Sequence, residues 1–429
     1  MNLDNNAFNL FKPCVMKLKQ LLILSICTCS FQAVFAQFVT PTPERNVIST
    51  AVPFLSIEGN VQSRGMAEIG VVASDLNQQN GLSQNPAILA RNNKVFGIQG
   101  LNYLPWFRML IPNAKFLETG FHRSINHNNA IGLNLKYFTL DNILFTDDFG
   151  NPTNPSQKTF EIAVAAKYAH RISNHWSVGS GLKFIYSDPT GNSSGFHPGT
   201  AISGDIGIDY RTYLVKQDFF KIKWNFGASI VDLGSKISYS NSDEKQFLPQ
   251  TLKLGTLFTF LVTLKNGNFI ATDLAYQADK LLVPTPPIFA LDANGSRIPD
   301  GRGGFVIAKG FNPNVNFLQG AIQSFYDAPG GSEEELKEIL HRFGTETRFC
   351  LFHQKMLIAC RGGYLYEDFT KGGRRYITTG LGIGFKGIRL DAAYLYSTTQ
   401  FHPNNGIITY SIGARFNLDS EKKFRFIED

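Results

Sequence analysis

The chain has 429 residues, 43% of them hydrophobic and only 17% charged, which is too apolar for a disordered polypeptide and long enough for two ordinary domains or one large barrel. Phe (37) and Gly (39) are both abundant, a combination that suits antiparallel β structure better than helical bundles. The formal net charge of +7 is spread through the chain without basic clusters, which leaves no support for nucleic-acid binding.

The first element is an export signal. Lys17 and Lys19 precede the apolar run LLILSICTCSFQAVFA, and Val34 and Ala36 are small residues suited to cleavage before Gln37. Met16 is an alternative start. The run ends too early for the roughly 20 apolar residues of a helical membrane span, so residues 1–36 are expected to be removed. Cys27 and Cys29 leave with it. Neither Ile26 nor Thr28 is the small residue usual before a lipidated cysteine, and the mature chain keeps Cys350 and Cys360.

Residues 37–92 follow, and within them SRGMAEIGVVASDLNQQNGLSQNPA (63–87) has neither a strand nor a helix period. Gly65, Gly70 and Gly81 suit tight backbone, and the Asn and Gln side chains can satisfy amides in a polar lumen. The apolar stretches EIGVVA and PAILA argue against a disordered tail. The segment is therefore expected to fold as a hatch inside a barrel.

From about residue 93 the sequence alternates with period two. FEIAVAAKYAHR opposes Phe160, Ile162, Val164, Ala166 and Tyr168 to Glu161, Lys167 and Arg171, and ITYSIGARF opposes Ile408, Tyr410, Ile412 and Phe416 to Thr409, Ser411, Gly413 and Arg415. A soluble sandwich would alternate too. These segments, however, run about 9–13 residues, near the length of a tilted transmembrane strand, and many carry aromatics at the ends of the apolar face.

Fourteen strands are expected, near 94–103, 115–124, 129–140, 158–170, 175–187, 200–211, 220–232, 250–262, 268–279, 345–353, 356–367, 375–386, 388–397 and 406–417. Their connections alternate short and long, as in outer-membrane barrels, with one loose case after Thr212. The fold class is thus all-β, a transmembrane antiparallel barrel over 93–429 with a long extracellular loop at about 280–344. If His353 faces Met356, Cys350 faces Ala359 and Phe349 faces Cys360, so the two sulfurs point to opposite sides of the wall. The same register sets Arg348 opposite Arg361, where a counter-charge or water must separate them.

Two long connections are greasy, LPWFRMLIP and LLVPTPPIFALD; such patches mark a binding surface or pack on one another. SEEELKEILHRF (332–343) reads as a short surface helix with Leu336, Ile339, Leu340 and Phe343 on one face. No G-x-S-x-G, H-E-x-x-H, P-loop or cysteine cluster occurs, so no catalytic residue, metal ligand or cofactor is assigned. Asp147 with Asp148, and Asp292 with Asn294, are read as turn formers rather than cation ligands.

PFLSIEGNVQSRGMAEIGVVASDLNQQNGLSQNPA, NYLPWFRML, LKYFTLDNILFTDDFGN and GLKFIYSD, in that order, resemble the PorV (LptO) family, FadL-related outer-membrane barrels of the type IX secretion system of Bacteroidota. The family's Gly-Met-Gly-Asp stands here as Gly65-Met66-Ala67-Glu68, and its Trp-Asn-Pro-Ala as Gln84-Asn85-Pro86-Ala87. The resemblance implies a 14-stranded barrel whose hatch includes Arg64, Met66, Glu68, Asn85 and Pro86. It implies a non-enzymatic shuttle that takes the C-terminal domains of secreted cargo from the SprA/Sov translocon to the attachment complex containing the PorU sortase. Cargo binding at the extracellular face makes Trp106, Phe107, Leu110, Pro286, Pro287 and Phe289 candidate contacts, with outer-membrane lipid as the other partner. The competing readings are a FadL-like transporter of hydrophobic small molecules and a lipopolysaccharide deacylase.

Overall fold

The computed structural model describes residues 45–417, apart from 75–79, 92–94, 106–113, 144–148, 150, 152–156, 190–195, 241–244, 265–266, 353–354 and 400–404. The expected signal and residues 37–44 lie outside the described residues, as do Trp106, Phe107, Leu110, Asp147 and Asp148.

Fourteen strands close into an antiparallel barrel: β1 (Val95–Pro105), β2 (Lys115–Ser124), β3 (Asn129–Ile143), β4 (Gln157–Arg171), β5 (Trp176–Asp188), β6 (Gly199–Lys216), β7 (Phe220–Gly234), β8 (Thr251–Thr263), β9 (Phe269–Leu281), β12 (Leu340–Leu351), β13 (Met356–Tyr366), β14 (Arg375–Phe385), β15 (Ile388–Ser397) and β16 (Ile407–Asn417). Each pairs with its neighbour in sequence, β9 pairs with β12, and β16 returns to β1. Between β9 and β12 a separate two-stranded sheet, β10 (Ile288–Phe289) with β11 (Ile307–Lys309), sits in the long connection. Closure pairs the edges that an open sheet would expose to lipid. Among the described residues no helix is long and apolar enough to cross a membrane.

The period-two pattern sets which way side chains point. On β5, Ser177, Lys183, Ile185 and Ser187 are buried toward the lumen, while Trp176, Leu182 and Phe184 face out. Aromatics mark both rims of the outer face. Trp176, Tyr210 and Trp224 pack together at the short-turn end, and Tyr276, His341 and Phe343 at the other. Along β5, the rise from Trp176 to Tyr186 on a tilted strand spans about 25 Å, the height of an outer-membrane apolar band.

Three local differences from the sequence reading have physical causes. First, β6 continues to Lys216, because a register shift between Tyr213 and Val215 lets its polar end stay paired with β7. The link after it shrinks to 217–219, and the loose case in the short–long alternation disappears. Second, the helix in the long connection stops at Lys337 and β12 begins at Leu340. Leu340 and Arg342 are buried toward the lumen whereas Phe343 is exposed, so strand burial on both neighbours outweighs the helical period.

Third, the β12–β13 hairpin is two residues out of the expected register: Leu351, not His353, pairs with Met356. Arg361 therefore faces Glu346, and Arg348 faces Ala359. A two-residue slip preserves side-chain parity, so the cysteines still stand on opposite sides of the wall, Cys350 buried and Cys360 exposed.

Candidate functional site

The lumen is built from charged side chains on inward positions, and they are paired. Lys167 meets Asp205 at 2.8 Å, and Lys183 contacts both Asp205 and Asp232. Across the barrel, Glu346 lies 2.7 Å from Arg361 and 3.4 Å from Arg348, while Asp391 bridges Arg361 and Arg389 at 2.8 and 3.0 Å. Glu346 is the counter-charge that the two arginines need. Such buried groups are costly unless each is partnered, so the network fixes geometry more than it adds stability.

Against this wall lies the chain from Arg45 to Arg91, described apart from 75–79. It runs from the end with long connections to the end with short turns. At the first end, Asn46 donates through Nδ2 to the Pro286 carbonyl and to Glu334, both at 3.1 Å, and Ala51 N–H donates to the Phe247 carbonyl. At the other, the Arg91 guanidinium reaches Asp209 at 2.5 Å and the His175 carbonyl at 2.6 Å. Between them are two one-turn helices, α1 (Val61–Arg64) and α2 (Asn80–Ser83), and two 3-10 turns, Pro53–Ser56 and Pro86–Arg91. Asn60 caps α1 by accepting from Gln62 N–H at 3.0 Å.

The residues singled out in this segment are brought together. Met66 packs with Ile69, Val71 and Val72 against Leu257 and Ala275. Glu68 pairs with Arg342 at 2.8 Å and lies 3.6 Å from Arg64, whose guanidinium also donates to the Glu58 carbonyl. Burial would raise the Glu68 carboxyl, but Arg342 and Arg64 hold it below its usual value. Asn85 is fully buried and donates to Val71 O at 2.8 Å and Ile208 O at 2.9 Å, joining two passes of the segment to the wall. Pro86 opens the final 3-10 turn.

Sequence reasoning missed the wall side of these contacts. Gln277 accepts from both Gly70 and Val71 N–H, Thr378 accepts from Ala67 N–H at 2.9 Å, and Lys136 donates to the carbonyls of Leu55 and Ile57 at 2.9 Å. Two inward glycines carried a usable signal. A Cβ on Gly363 would sit 2.4 Å from Ala67 N, and one on Gly179 would sit 2.5 Å from Ala87 N, so the segment lies flat on bare backbone there. Ala67 and Glu68 themselves have φ of 55° and 64°, left-handed backbone at the position where the resemblance supplies a glycine.

Glu58 is a buried carboxyl of the inner segment held by hydrogen bonds. It accepts from Asn60 N–H at 2.8 Å and from Gln84 Nε2. Burial, then repulsion from Glu118, outweighs the pull of Lys136 and pushes it up to about 7. Beside it is a cavity of about 430 Å³ of mixed lining, with Lys136, Lys183, Asp279 and Arg342 alongside Leu55, Ile57, Val231 and Leu281.

The mouth at the long-connection end is tied by acidic residues of α3 (Ser332–Lys337) and the residue just beyond it. Glu338 accepts from Lys280 at 2.7 Å, Lys371 at 2.9 Å and Thr285 Oγ1 at 2.7 Å; Glu334 pairs with Lys371 at 2.5 Å. Pro286 and Pro287 enter the connection just before β10, and Pro286 is held through its carbonyl by Asn46. Phe289 packs edge-on against Phe305 at 5.8 Å, with Arg297 over its ring at 4.7 Å. Phe305 is itself exposed, as are Leu291, Phe311, Leu318 and Ile322 of the same connection. Asp292 accepts from Asn294 and Ser296 N–H, a turn-forming role. No group of three or more His, Cys, Asp or Glu side chains is placed to hold a metal ion among the described residues.

Comparison with curated protein sequences gave no match. Among solved structures, the toluene transporter TbuX of Ralstonia pickettii is 12% identical, with 82% of this chain and 95% of that chain covered at a TM-score of 0.36. The CymD monoaromatic hydrocarbon channel is 11% identical, covering 85% and 97% at 0.39, and a FadL homologue of Pseudomonas aeruginosa is 10% identical, covering 87% and 100% at 0.37. The family described as Type IX secretion system protein PorV matches residues 40–288, more than half of the chain. The chain belongs to the PorV family, outer-membrane β-barrel proteins of the type IX secretion system.

Proposed function

We propose that this protein, exported by residues 1–36, holds the C-terminal domain of a secreted protein on its outward mouth. It takes that domain from the SprA/Sov translocon and gives it up to the attachment complex containing the PorU sortase. The segment from residue 37 to 92 serves as a hatch whose body stays in the lumen throughout, and the connection at about 280–344 carries the contacts, Pro286, Pro287 and Phe289 with it. Family membership makes the chain a transport component and not an enzyme.

One observation carries this reading: an inner segment tied to the wall by hydrogen bonds and ion pairs occupies the lumen, while exposed apolar residues gather on the long connection. Asn85, Glu68 and Arg91 pin the inner segment to the wall, and Leu291, Phe305, Phe311 and Ile322 stand outside. A transporter of hydrophobic small molecules would need a continuous apolar path, whereas Lys136, Lys183 and Arg342 interrupt the apolar part of the cavity lining.

The test is complementation of a deletion strain. A chain in which residues 288–326 are replaced by a Gly-Ser linker is expected to insert in the outer membrane yet leave cargo in the periplasm. Normal surface display of cargo by that variant would refute the assignment of the contacts. Copurification from detergent-solubilised envelope should recover translocon, sortase and a cargo C-terminal domain; recovery of none would favour the transporter.

A further inference from the structure

The burial of the inner segment fades toward its first residues, at the mouth with long connections. Ala51, Val52 and Phe54 are buried almost completely, whereas Arg45, Val47 and Ser49 are exposed. The exposed stretch is held all the same, by three different long connections. Asn46 N–H donates to the Thr370 carbonyl at 3.1 Å and the Arg45 guanidinium lies 4.3 Å above the Phe369 ring, both between β13 and β14. The Asn46 side chain holds Pro286 and Glu334 between β9 and β12, and Ala51 N–H donates to Phe247 between β7 and β8. The same chain reaches the opposite end at Arg91, on the Asn174 and His175 carbonyls of the β4–β5 turn, and β1 starts from that end. The polypeptide thus crosses the lumen once, from the mouth inward, before its first strand begins.

We infer that the amino-terminal end left by removal of residues 1–36 lies outside the cell, beside the Pro286 connection, and not in the periplasm with the ends of the strands. This placement rests on that removal and, for the side of the membrane, on the outward orientation of the long connections in the proposed function. The pairing of the end with the long connections rests on the contacts of Arg45 and Asn46 alone. Eight residues, 37–44, precede Arg45, and fully extended they reach at most about 29 Å. The eleven residues of β13 already rise about 28 Å at a tilt near 40°. Arg45 is held by the connection beyond their Tyr366 end, so eight residues do not clear the far rim. The way back is also filled, because Val61, Ala67, Val71, Leu82 and Ile88 of the inner segment are buried in the lumen. An end placed there adjoins Pro286, and whatever docks on that connection meets residues 37–44 as well.

The test places single thiols in the full-length chain in its own outer membrane, with Cys350→Ala and Cys360→Ala removing the native ones. A membrane-impermeant maleimide is read on intact and on permeabilised cells. Val39→Cys reports the end, Asn294→Cys the long connection and His127→Cys the β2–β3 turn. In intact cells Val39→Cys is expected to label within about twofold of Asn294→Cys and at least about tenfold more than His127→Cys, the three converging after permeabilisation. An epitope tag inserted after Phe38 of the otherwise native chain repeats the measurement without touching the barrel, and antibody is expected to bind it on intact cells. Val39→Cys that follows His127→Cys, or stays unlabelled after permeabilisation, would overturn the proposal, as would a tag bound only once cells are opened. An Asn294→Cys chain that itself needs permeabilisation would sink the outward orientation, and the proposal with it.

Discussion

The inner segment from Glu58 to Arg91 and the outer connection from 282 to 339 are made of similar residues and end in opposite environments. Both mix short apolar runs with Gly, Pro, Asn and Gln, and neither has a regular period. What separates them is the surface each one meets. Inward glycines, Gln277 and Thr378 offer the inner segment bare backbone and hydrogen-bond partners, so Val61, Val71, Ile88 and Leu89 are buried almost completely. The outer connection is tied at its ends through Lys280, Lys371 and Asn46 and at its middle by Lys236 and Gln250, which donate to the carbonyls of Val315 and Phe317, and it still leaves Phe311 and Ile322 exposed. Burial here is decided by the partner surface, not by composition.

The largest way to break the contrast is to remove the charge that holds the lumen together. Glu346→Gln leaves Arg348, Arg361 and Arg389 facing one another with less counter-charge, and loss of one member of such a buried network costs about 3–5 kcal/mol. Heat-modifiable mobility on gels should shift to markedly lower temperature. Next is Gly363→Val, which drives a side chain into the backbone of Ala67 and should cost about 1–3 kcal/mol. Limited proteolysis should then cut between residues 58 and 74, where the parent chain resists.

A smaller effect comes from Glu58. Its carboxyl titrates near 7 in the folded protein and near 4.5 when exposed, so the folded state binds the extra proton between those values. The inner segment should therefore lose stability as pH rises from about 4.5 through 7. Protection factors of residues 55–74, corrected for the pH dependence of intrinsic exchange, should be higher at pH 5 than at pH 8, and Glu58→Gln should flatten the difference. Smallest of all, Phe305→Ser with Phe311→Ser should change barrel stability by no more than about 0.5 kcal/mol while weakening capture of a cargo C-terminal domain in pull-down.

The wall was largely legible in the sequence because one face of every strand had to be apolar, and a period of two leaves no ambiguity about which. Parity survived even where register did not: the β12–β13 turn closes at Leu351 and Met356, a detail set by turn geometry that alternation cannot report. The Leu340–Phe343 stretch satisfied both periods, and only the neighbouring strands decided between them. Arg64, Met66, Glu68, Asn85 and Pro86 could be marked as inner-segment residues from their motif. The wall residues that hold the segment, Arg342 on Glu68, Gln277 on the Gly70 and Val71 amides and Asp391 on Gln62, could not, because they lie hundreds of residues away and carry no local signature.

The most direct test of the division between a fixed interior and a working exterior is hydrogen exchange measured with and without a bound cargo C-terminal domain. Slowed exchange confined to the connection around 288–326, with residues 58–74 and 80–91 protected equally in both states, is the predicted result. Faster exchange in 58–74 and 80–91 when cargo binds would mean that the lumen opens, and would contradict it.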